Sequence, residues 1–352
     1  MKNKRVEWAD VAKLWAMLAV IVNHTVGSVY HNTTIAYSSY YSVSLFIVVM
    51  GVTSYWSFSR YQGNRIDKIK SGCWKILRPY LVATFLYKIL LEQHFDFLDY
   101  LDKVVHFNEV GPFYYVLLYI QLFIAAPILY YVFVISDKKK YGILIELLGL
   151  AITAIVGTWT TYNTNILDIY GGGGKLLGGT YLILLYIGMM FGKYCNRIQV
   201  GKAGSIVLLV FSIVIMCVCL YVEAFYRGVV DAYFPFGDGI NPPSVSSGLC
   251  AVTIMLFIFM VEKVIGEISA LKTVYGMFAR IGRHTLYVFL YHMLMINYCS
   301  AIVNAINSEM NIWFKVIIYF GGIFAGSFVI ELIVEKALNF IHGIYFEKKS
   351  AE

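Results

Sequence analysis

Three ionisable side chains share the first apolar segment of the chain. The stretch "DVAKLWAMLAVIVNHT" carries Asp10 and Lys13 at its start and His24 near its end. Ionisable groups are costly in hydrocarbon, so they usually pair with one another or take part in function. An imidazole, whose ordinary pKa is near neutral, is suited to removing a proton from a hydroxyl group. The segment therefore suggests a proton-transfer site on a membrane helix.

The spacing of these residues predicts two separate positions on one face of a helix. At about 3.6 residues per turn, Lys13 and His24 differ in direction by only about 20°, and Asp10 lies close to the same face. A rise of about 1.5 Å per residue separates Lys13 from His24 by about 16 Å, so they cannot touch. Asp10 and Lys13, three residues apart, can form an ion pair. Two structural alternatives stay open: Lys13 as an interfacial anchor, and His24 bonded to a neighbouring helix.

The composition places this segment in a multi-pass membrane protein. Of the 352 residues, 59% are hydrophobic and only 14% are charged, whereas soluble domains carry about 25% charged residues. The mean hydropathy is +0.69. We predict an all-α membrane helix bundle in a single domain, 1–352, with about ten spans of about 20 residues each. The predicted spans are 9–29, 41–59, 77–95, 111–135, 142–161, 176–192, 205–225, 249–264, 285–305 and 312–334.

The distribution of positive charge predicts the orientation of the bundle. Of the 28 Lys and Arg residues, 22 fall in segments that are cytosolic if the N-terminus is cytosolic, and only Lys103, Lys175 and Arg227 fall in outer loops. Because positive charge concentrates on the cytosolic side, both termini are predicted to be cytosolic. The net charge of +7 thus follows membrane topology and does not indicate nucleic-acid binding. The six cysteines form no CxxC motif or Cys/His cluster, so neither a metal site nor a disulfide framework is predicted.

Three stretches, in order along the chain, resemble the acyltransferase 3 family. They are "DVAKLWAMLAVIVNH" (10–24), "GPFYYVLLYIQLFIAAPIL" (111–129) and "IGRHTLYVFLYHM" (281–293). Members of this family are multispan membrane enzymes that move acyl groups, usually acetyl from acetyl-CoA, onto extracytoplasmic glycans. The resemblance implies that Lys13 and His24 are needed for activity. Within the family, the chain is similar to the acetyl- and succinyltransferases that modify exopolysaccharides. The resemblance also implies a location in the bacterial cytoplasmic membrane.

The implied donor, acetyl-CoA or succinyl-CoA, is a substrate rather than a permanently bound cofactor, and its phosphates require cations. The family often has an Arg-x-x-Arg pair before the third span, where this chain has "KIKSGCWKILRPYL" (68–81). Lys75 and Arg78 keep the spacing and charge, and Lys70 is a further candidate for the same contact. The departure from two arginines matters because lysine lacks the bidentate fork of arginine. The alternative is that these cations only reflect the positive-inside rule.

General-base acyl transfer is the chemistry that we expect at His24. His24 would take the proton of the acceptor hydroxyl as its oxygen attacks the thioester carbonyl, and Asp10 would orient or neutralise Lys13. An oxyanion donor is also required. The candidates for that role or for substrate contact are His292, Tyr291, Asn297 and Tyr119, and the pair Lys88 and Glu92, which could equally form an intrahelical ion pair. Glu146 and Glu331 could also line the cavity.

The expected partners are acyl-CoA, a glycan acceptor, the lipid bilayer and the machinery of glycan biosynthesis. The run "GGGGK", which ends at Lys175, lacks the spacing of a phosphate-binding loop and is predicted to be a flexible outer loop. The alternative function is an exporter or flippase of polysaccharide or lipid-linked glycan, in which the buried charges would bind cargo or relay protons.

Overall fold

In the part of the chain that the structure describes, helices joined by turns and short connecting segments make up the fold. A computed structural model describes residues 6–169, 171–198, 201–234, 236, 243–265, 269–307 and 309–351. Within these ranges no β-strand occurs, and the α-helices are α1 (Glu7–His24), α2 (Thr33–Tyr37), α3 (Ser42–Ser59), α4 (Arg65–Leu90), α5 (Phe97–His106), α6 (Tyr114–Ser136), α7 (Gly142–Asn163), α8 (Tyr181–Tyr194), α9 (Lys202–Phe225), α10 (Arg227–Tyr233), α11 (Val245–Ile265), α12 (Ser269–Gly282), α13 (Thr285–Ile306) and α14 (Ile312–Ala351).

Seven helical segments of the described chain are long and apolar enough to cross a membrane. They contain α3, α6, α7, α9, α11, α13 and α14. The other three predicted spans correspond to α1, which carries Glu7, Asp10 and Lys13 in 18 residues, to the partly charged α4, and to α8, which is only 14 residues long. The all-helical, multi-pass fold is confirmed. The total of about ten spans and the orientation of the termini stay predictions.

Helix α1 lies inside the bundle, against α3, α11, α12 and α13. Small residues allow this close packing: Ala12 and Ala16 are fully buried on α1. Where α12 ends, a Cβ on Gly282 would lie 1.9 Å from the carbonyl oxygen of Asp10, so only glycine fits this contact. Small residues at helix interfaces are the usual means by which membrane helices approach one another. The glycine thereby brings the α12–α13 junction against the ionisable start of α1.

Helix α4 differs in extent from the span predicted at 77–95. It begins at Arg65, after the side chain of Asn64 accepts a hydrogen bond from the backbone N–H of Ile66, and it continues through Pro79 to Leu90. Hydropathy identified only the apolar second half, because the first half is rich in lysine and arginine. As a result, the cations of 65–78 lie on a rigid helix and not in a loop.

The glycine run predicted as a flexible outer loop is instead a buried 3₁₀ turn, Gly171–Gly174. A Cβ on Gly174 would lie 1.7 Å from the carbonyl oxygen of Ile169, which leaves no room for a side chain. Gln121 of α6 holds the segment in place: its amide donates to the carbonyl of Gly173 (2.9 Å) and accepts from the N–H of Leu177 (2.9 Å). The glycines therefore serve packing, a role that a consecutive run does not reveal by itself.

Candidate active site

The ionisable start of α1 forms a three-residue charge cluster with the α12–α13 junction. Lys13 Nζ lies 3.1 Å from Asp10 Oδ1, as the spacing predicted, and Arg283 Nε lies 3.6 Å from Asp10 Oδ2. The Asp10 side chain is only 2% exposed, whereas those of Lys13 and Arg283 are 29% and 38% exposed. Asp10 thus offsets the charge of two cations whose side chains remain partly exposed.

A first cavity, of about 480 Å³, opens beside this cluster between α1, the end of α3 and the start of α4. Its basic lining residues are Lys13, Arg60 and Lys68, and its aromatic lining residues are Trp56 and Tyr61. Lys68 Nζ lies 4.3 Å from the ring centroid of Tyr61 and donates a hydrogen bond to the carbonyl of Ser57. Burial and, secondarily, the nearby charge of Lys75 lower the pKa of Lys68. Such a pocket suits a phosphorylated, aromatic ligand.

A second cavity, of about 360 Å³, shares Lys13, Thr53 and Ser57 with the first. Lys75 and Arg283 add positive charge to it. The remaining lining is largely apolar and aromatic, and includes Phe46, Met50, Tyr115, Tyr119, Phe123 and Phe289. Lys13 therefore stands where the first cavity meets a second one that is largely apolar apart from Lys13, Lys75 and Arg283.

The cations predicted to bind donor phosphates divide into two groups. Lys75 lines the second cavity, whereas Lys70 is exposed, Arg78 is half-buried, and neither is among the described residues that line the two cavities. The sequence did not single out Arg60, Lys68 or Arg283 because all three blend into the general positive charge of their segments. Arg283 joins the site only through a tertiary contact with Asp10, which is 273 positions away.

The imidazole rings of His24 and His292 lie side by side, with ring centroids 5.0 Å apart and ring planes at 51°. His292 is fully buried on α13, and His24 is partly buried at the end of α1. Phe289 connects this pair to the second cavity: its ring lines that cavity and lies 5.7 Å from the ring of His292. Because α1 is unbroken from Glu7 to His24, the axial rise of about 16 Å between Lys13 and His24 is maintained.

The remaining oxyanion candidates lie in different surroundings. Tyr119 lines the second cavity and stacks on Phe123, with ring centroids 5.8 Å apart. Tyr291 is fully buried next to His292, and its hydroxyl has no hydrogen-bond partner among the described residues. Asn297 is exposed, and its amide donates back to the carbonyl of Met293 (3.1 Å). Of these, Tyr119 is the one that lines a cavity, and Tyr291 is the one whose buried hydroxyl has no partner among the described residues.

The predicted Lys88–Glu92 ion pair forms, with 2.7 Å between Nζ and Oε2, and it belongs to a larger cluster. Lys88, whose side chain is 1% exposed, also contacts Asp99 of α5 and lies 3.5 Å from the buried Glu109. Burial raises the pKa of Glu109, and the hydrogen bond from Lys88 lowers the pKa of Asp99. Every cation contact here is with protein carboxylates, which favours the structural alternative for Lys88.

Glu146 and Glu331 also have partners of their own. Glu146 is buried with its Oε1 atom 2.5 Å from Nζ of Lys193, and Glu331 Oε1 lies 2.7 Å from Nδ1 of His284. Neither is among the described residues that line the two cavities.

Tyr87 bonds to the helical turn that carries His292, a feature absent from the sequence-based prediction. Its hydroxyl accepts a hydrogen bond from the N–H of Leu294 (2.9 Å) and donates one to the carbonyl of Leu290 (3.1 Å). These two backbone groups are the partners that bond directly in a regular α-helix. A side chain inserted into the helical ladder alters the local path of the helix. Tyr87 therefore sets the position of the turn between residues 290 and 294.

We expect Tyr87→Phe to lower kcat about tenfold, because the turn would close and shift the ring of His292. The free energy of unfolding should change little, since the N–H of Leu294 and the carbonyl of Leu290 can then bond directly. Steady-state kinetics and thermal unfolding of the purified protein measure both quantities. Tyr80→Phe is a matched control, since the hydroxyl of Tyr80 bonds to the carbonyl of Val104 instead. A wild-type kcat in the Tyr87→Phe variant would contradict this role.

Nearly the whole chain matches the model of one protein family. No curated protein and no solved structure matches the chain at a significant level. The family model of the acyltransferase 3 domain, described as an acyltransferase domain, matches residues 6–332, nearly the whole chain. This range contains α1, both cavities and the two histidines. The chain therefore belongs to the acyltransferase 3 family and is a multi-pass membrane acyltransferase.

Proposed function

We propose that the protein moves an acetyl or succinyl group from cytosolic acyl-CoA to a hydroxyl of an extracytoplasmic glycan or of its lipid-linked precursor. In this proposal both termini are cytosolic, about ten segments span the membrane, and the membrane is the bacterial cytoplasmic membrane. One observation carries the proposal: a basic compartment, an apolar compartment and a histidine pair follow one another along the buried helix α1.

The first cavity suits the phosphorylated nucleotide end of the donor. Lys13, Arg60 and Lys68 supply positive charge, and charge-assisted hydrogen bonds to phosphate are among the stronger polar contacts. The rings of Tyr61 and Trp56 offer surfaces on which an aromatic base can stack. The apolar second cavity then suits the extended thiol arm, which would pass Lys13 and reach toward Phe289.

His24 is the proposed general base. As the acceptor oxygen attacks the thioester carbonyl, the O–H bond breaks and the proton passes to His24. The tetrahedral intermediate collapses with loss of the CoA thiolate, which takes up the proton from His24. The products are the acylated hydroxyl and CoA–SH, and the base is restored. Tyr119 and Tyr291 are the proposed donors to the oxyanion.

Labelled donors test this function directly. The protein, purified in detergent, is incubated with radiolabelled acetyl-CoA or succinyl-CoA and with cell-surface oligosaccharides. We expect label to appear on the glycan, at a hydroxyl located by mass spectrometry, with release of CoA–SH. The proposal fails if no donor transfers label to any glycan while the same protein in sealed vesicles moves unmodified glycan across the bilayer, which is the behaviour of an exporter.

Lys13→Met should weaken CoA binding about 10- to 30-fold, because a contact between a cation and a phosphate contributes about 1.5–2 kcal/mol. Methionine keeps the length and apolar volume of lysine, so packing on α1 is preserved. Isothermal titration with CoA measures the dissociation constant. Lys272→Met, an equal loss of charge at an exposed position of α12, is the control and should bind CoA as the wild type does. Equal affinity in the Lys13 variant would show that Lys13 is only an interfacial anchor.

A further inference from the structure

The tautomer of His292 is fixed by its own helix. Nδ1 of the ring lies 2.6 Å from the carbonyl oxygen of Phe289, one turn earlier on α13. A carbonyl oxygen can only accept a hydrogen bond, so Nδ1 must carry a proton. In the neutral ring the proton is then absent from Nε2, which is left as a hydrogen-bond acceptor.

That acceptor is buried and unused. Nε2 of His292 is inaccessible to solvent and has no hydrogen-bond partner among the described residues. Leaving a buried acceptor unpaired destabilises the folded protein, so such an atom calls for a functional explanation. The neighbouring polar ring is His24, at a centroid distance of 5.0 Å, close enough for a small rotation to bring a nitrogen of His24 within reach.

The residues around the two rings leave His292 as the group that can orient His24. Among the described residues, no carboxylate forms an ion pair with either ring, and Asp10 lies more than three helical turns from His24. In catalytic triads a third group orients the base and stabilises its protonated form, and that group is usually an aspartate. A neutral imidazole does the same without placing a permanent negative charge in an apolar bundle, where an unpaired charge is costly.

We propose that His292 is a positioning residue for His24, and that its Nε2 atom accepts a hydrogen bond from His24 during acyl transfer. When His24 takes the acceptor proton on one nitrogen, its other N–H donates to Nε2 of His292. The proton on Nδ1 of His292 stays with the carbonyl of Phe289, so His292 itself gains and loses no proton. Tyr87 holds the turn that aims this acceptor. The inference rests on the proposed function and gives the second histidine of the pair, His292, a role in it.

Two amide substitutions separate the acceptor role from simple packing. Asparagine places its amide near the position of Nδ1, where it can still donate to the carbonyl of Phe289 but cannot reach His24. Glutamine places its amide near the position of Nε2, where its oxygen can accept from His24. We expect His292→Asn to lower kcat about 100-fold and His292→Gln to be at least tenfold more active than His292→Asn. The dissociation constant of CoA, measured by titration, should stay within twofold of wild type in both.

The outcomes distinguish this inference from the proposed function. If wild-type protein transfers no acyl group from any donor, the proposed function fails. If wild-type protein is active and His24→Ala is not, but His292→Asn keeps more than a third of the wild-type kcat, only the inference about His292 is overturned. Equal activity of the asparagine and glutamine variants, with CoA bound normally, would also overturn the acceptor role.

Discussion

His24→Ala is expected to lower kcat for acyl transfer by about 100- to 10,000-fold, the range that a general base contributes. The dissociation constant of CoA should change less than twofold, because Lys13, the cation that α1 contributes to the first cavity, lies about three helical turns from His24 along that helix. A loss in kcat without a loss in donor affinity places the residue at the reacting bond. Single-turnover kinetics with labelled donor and titration with CoA measure the two quantities.

His106→Ala is a suitable control, since His106 lies partly exposed on α5 and bonds to the carbonyl of Asp102 within its own helix. It should retain wild-type kcat and donor affinity. Full activity in the His24→Ala variant would remove the base from the mechanism and leave His24 as a structural histidine.

The face of α1 that carries the ionisable residues could be predicted from the sequence because helical phase and rise are local properties. Three positions in one segment define the face that carries Asp10, Lys13 and His24, and the structure retains that geometry. The partners of these residues could not be predicted in the same way. Arg283 and Tyr87 reach the site through contacts between helices that are far apart in the sequence, and no periodicity encodes such contacts; His292 was named as a candidate, but its contact with His24 was not predicted.

Hydropathy located the helices better than it located their ends. It found the apolar half of α4 but missed the charged half that begins at Arg65, since charged residues lower a windowed average. It assigned α8 a start at 176, where the chain forms a 3₁₀ turn and the α-helix begins only at Tyr181.

Lys88→Met is expected to lower the free energy of unfolding by about 3 kcal/mol. Removing one partner of a buried ion pair leaves an uncompensated charge, which costs about 3–5 kcal/mol. The lower part of that range applies because Glu92 and Asp99 remain about half exposed, whereas the side chain of Glu109 is only 3% exposed. Reversible unfolding in mixed micelles measures the change, with Lys272→Met as the surface control.

The loss of unfolding free energy caused by Lys88→Met, relative to the wild type, should become smaller as the pH falls from about 7 to about 5. Burial already raises the pKa of Glu109 and Lys88 opposes that rise, so in the variant the pKa of Glu109 rises further. A carboxyl whose pKa is higher in the folded state destabilises the fold while ionised, and this cost disappears when it takes up a proton. In the wild type, Lys88 lowers the pKa of Asp99, so the stability that Asp99 contributes is retained between pH 7 and pH 5 and is lost only in more acidic solution.

Protonation of Glu109 in the variant therefore narrows the difference in unfolding free energy between the two proteins within this pH range, which gives the cluster a signature that packing alone does not produce. A deficit that is constant between pH 7 and pH 5 would show that Lys88 stabilises the fold through its aliphatic chain instead of its charge. The acceptor-binding alternative predicts a different result, a raised KM for the glycan in folded Lys88→Met protein. Because Lys88 joins α4 to Asp99 of α5 and also contacts Glu92 and Glu109 in the segments that follow these two helices, we expect the loss of stability to be the dominant effect.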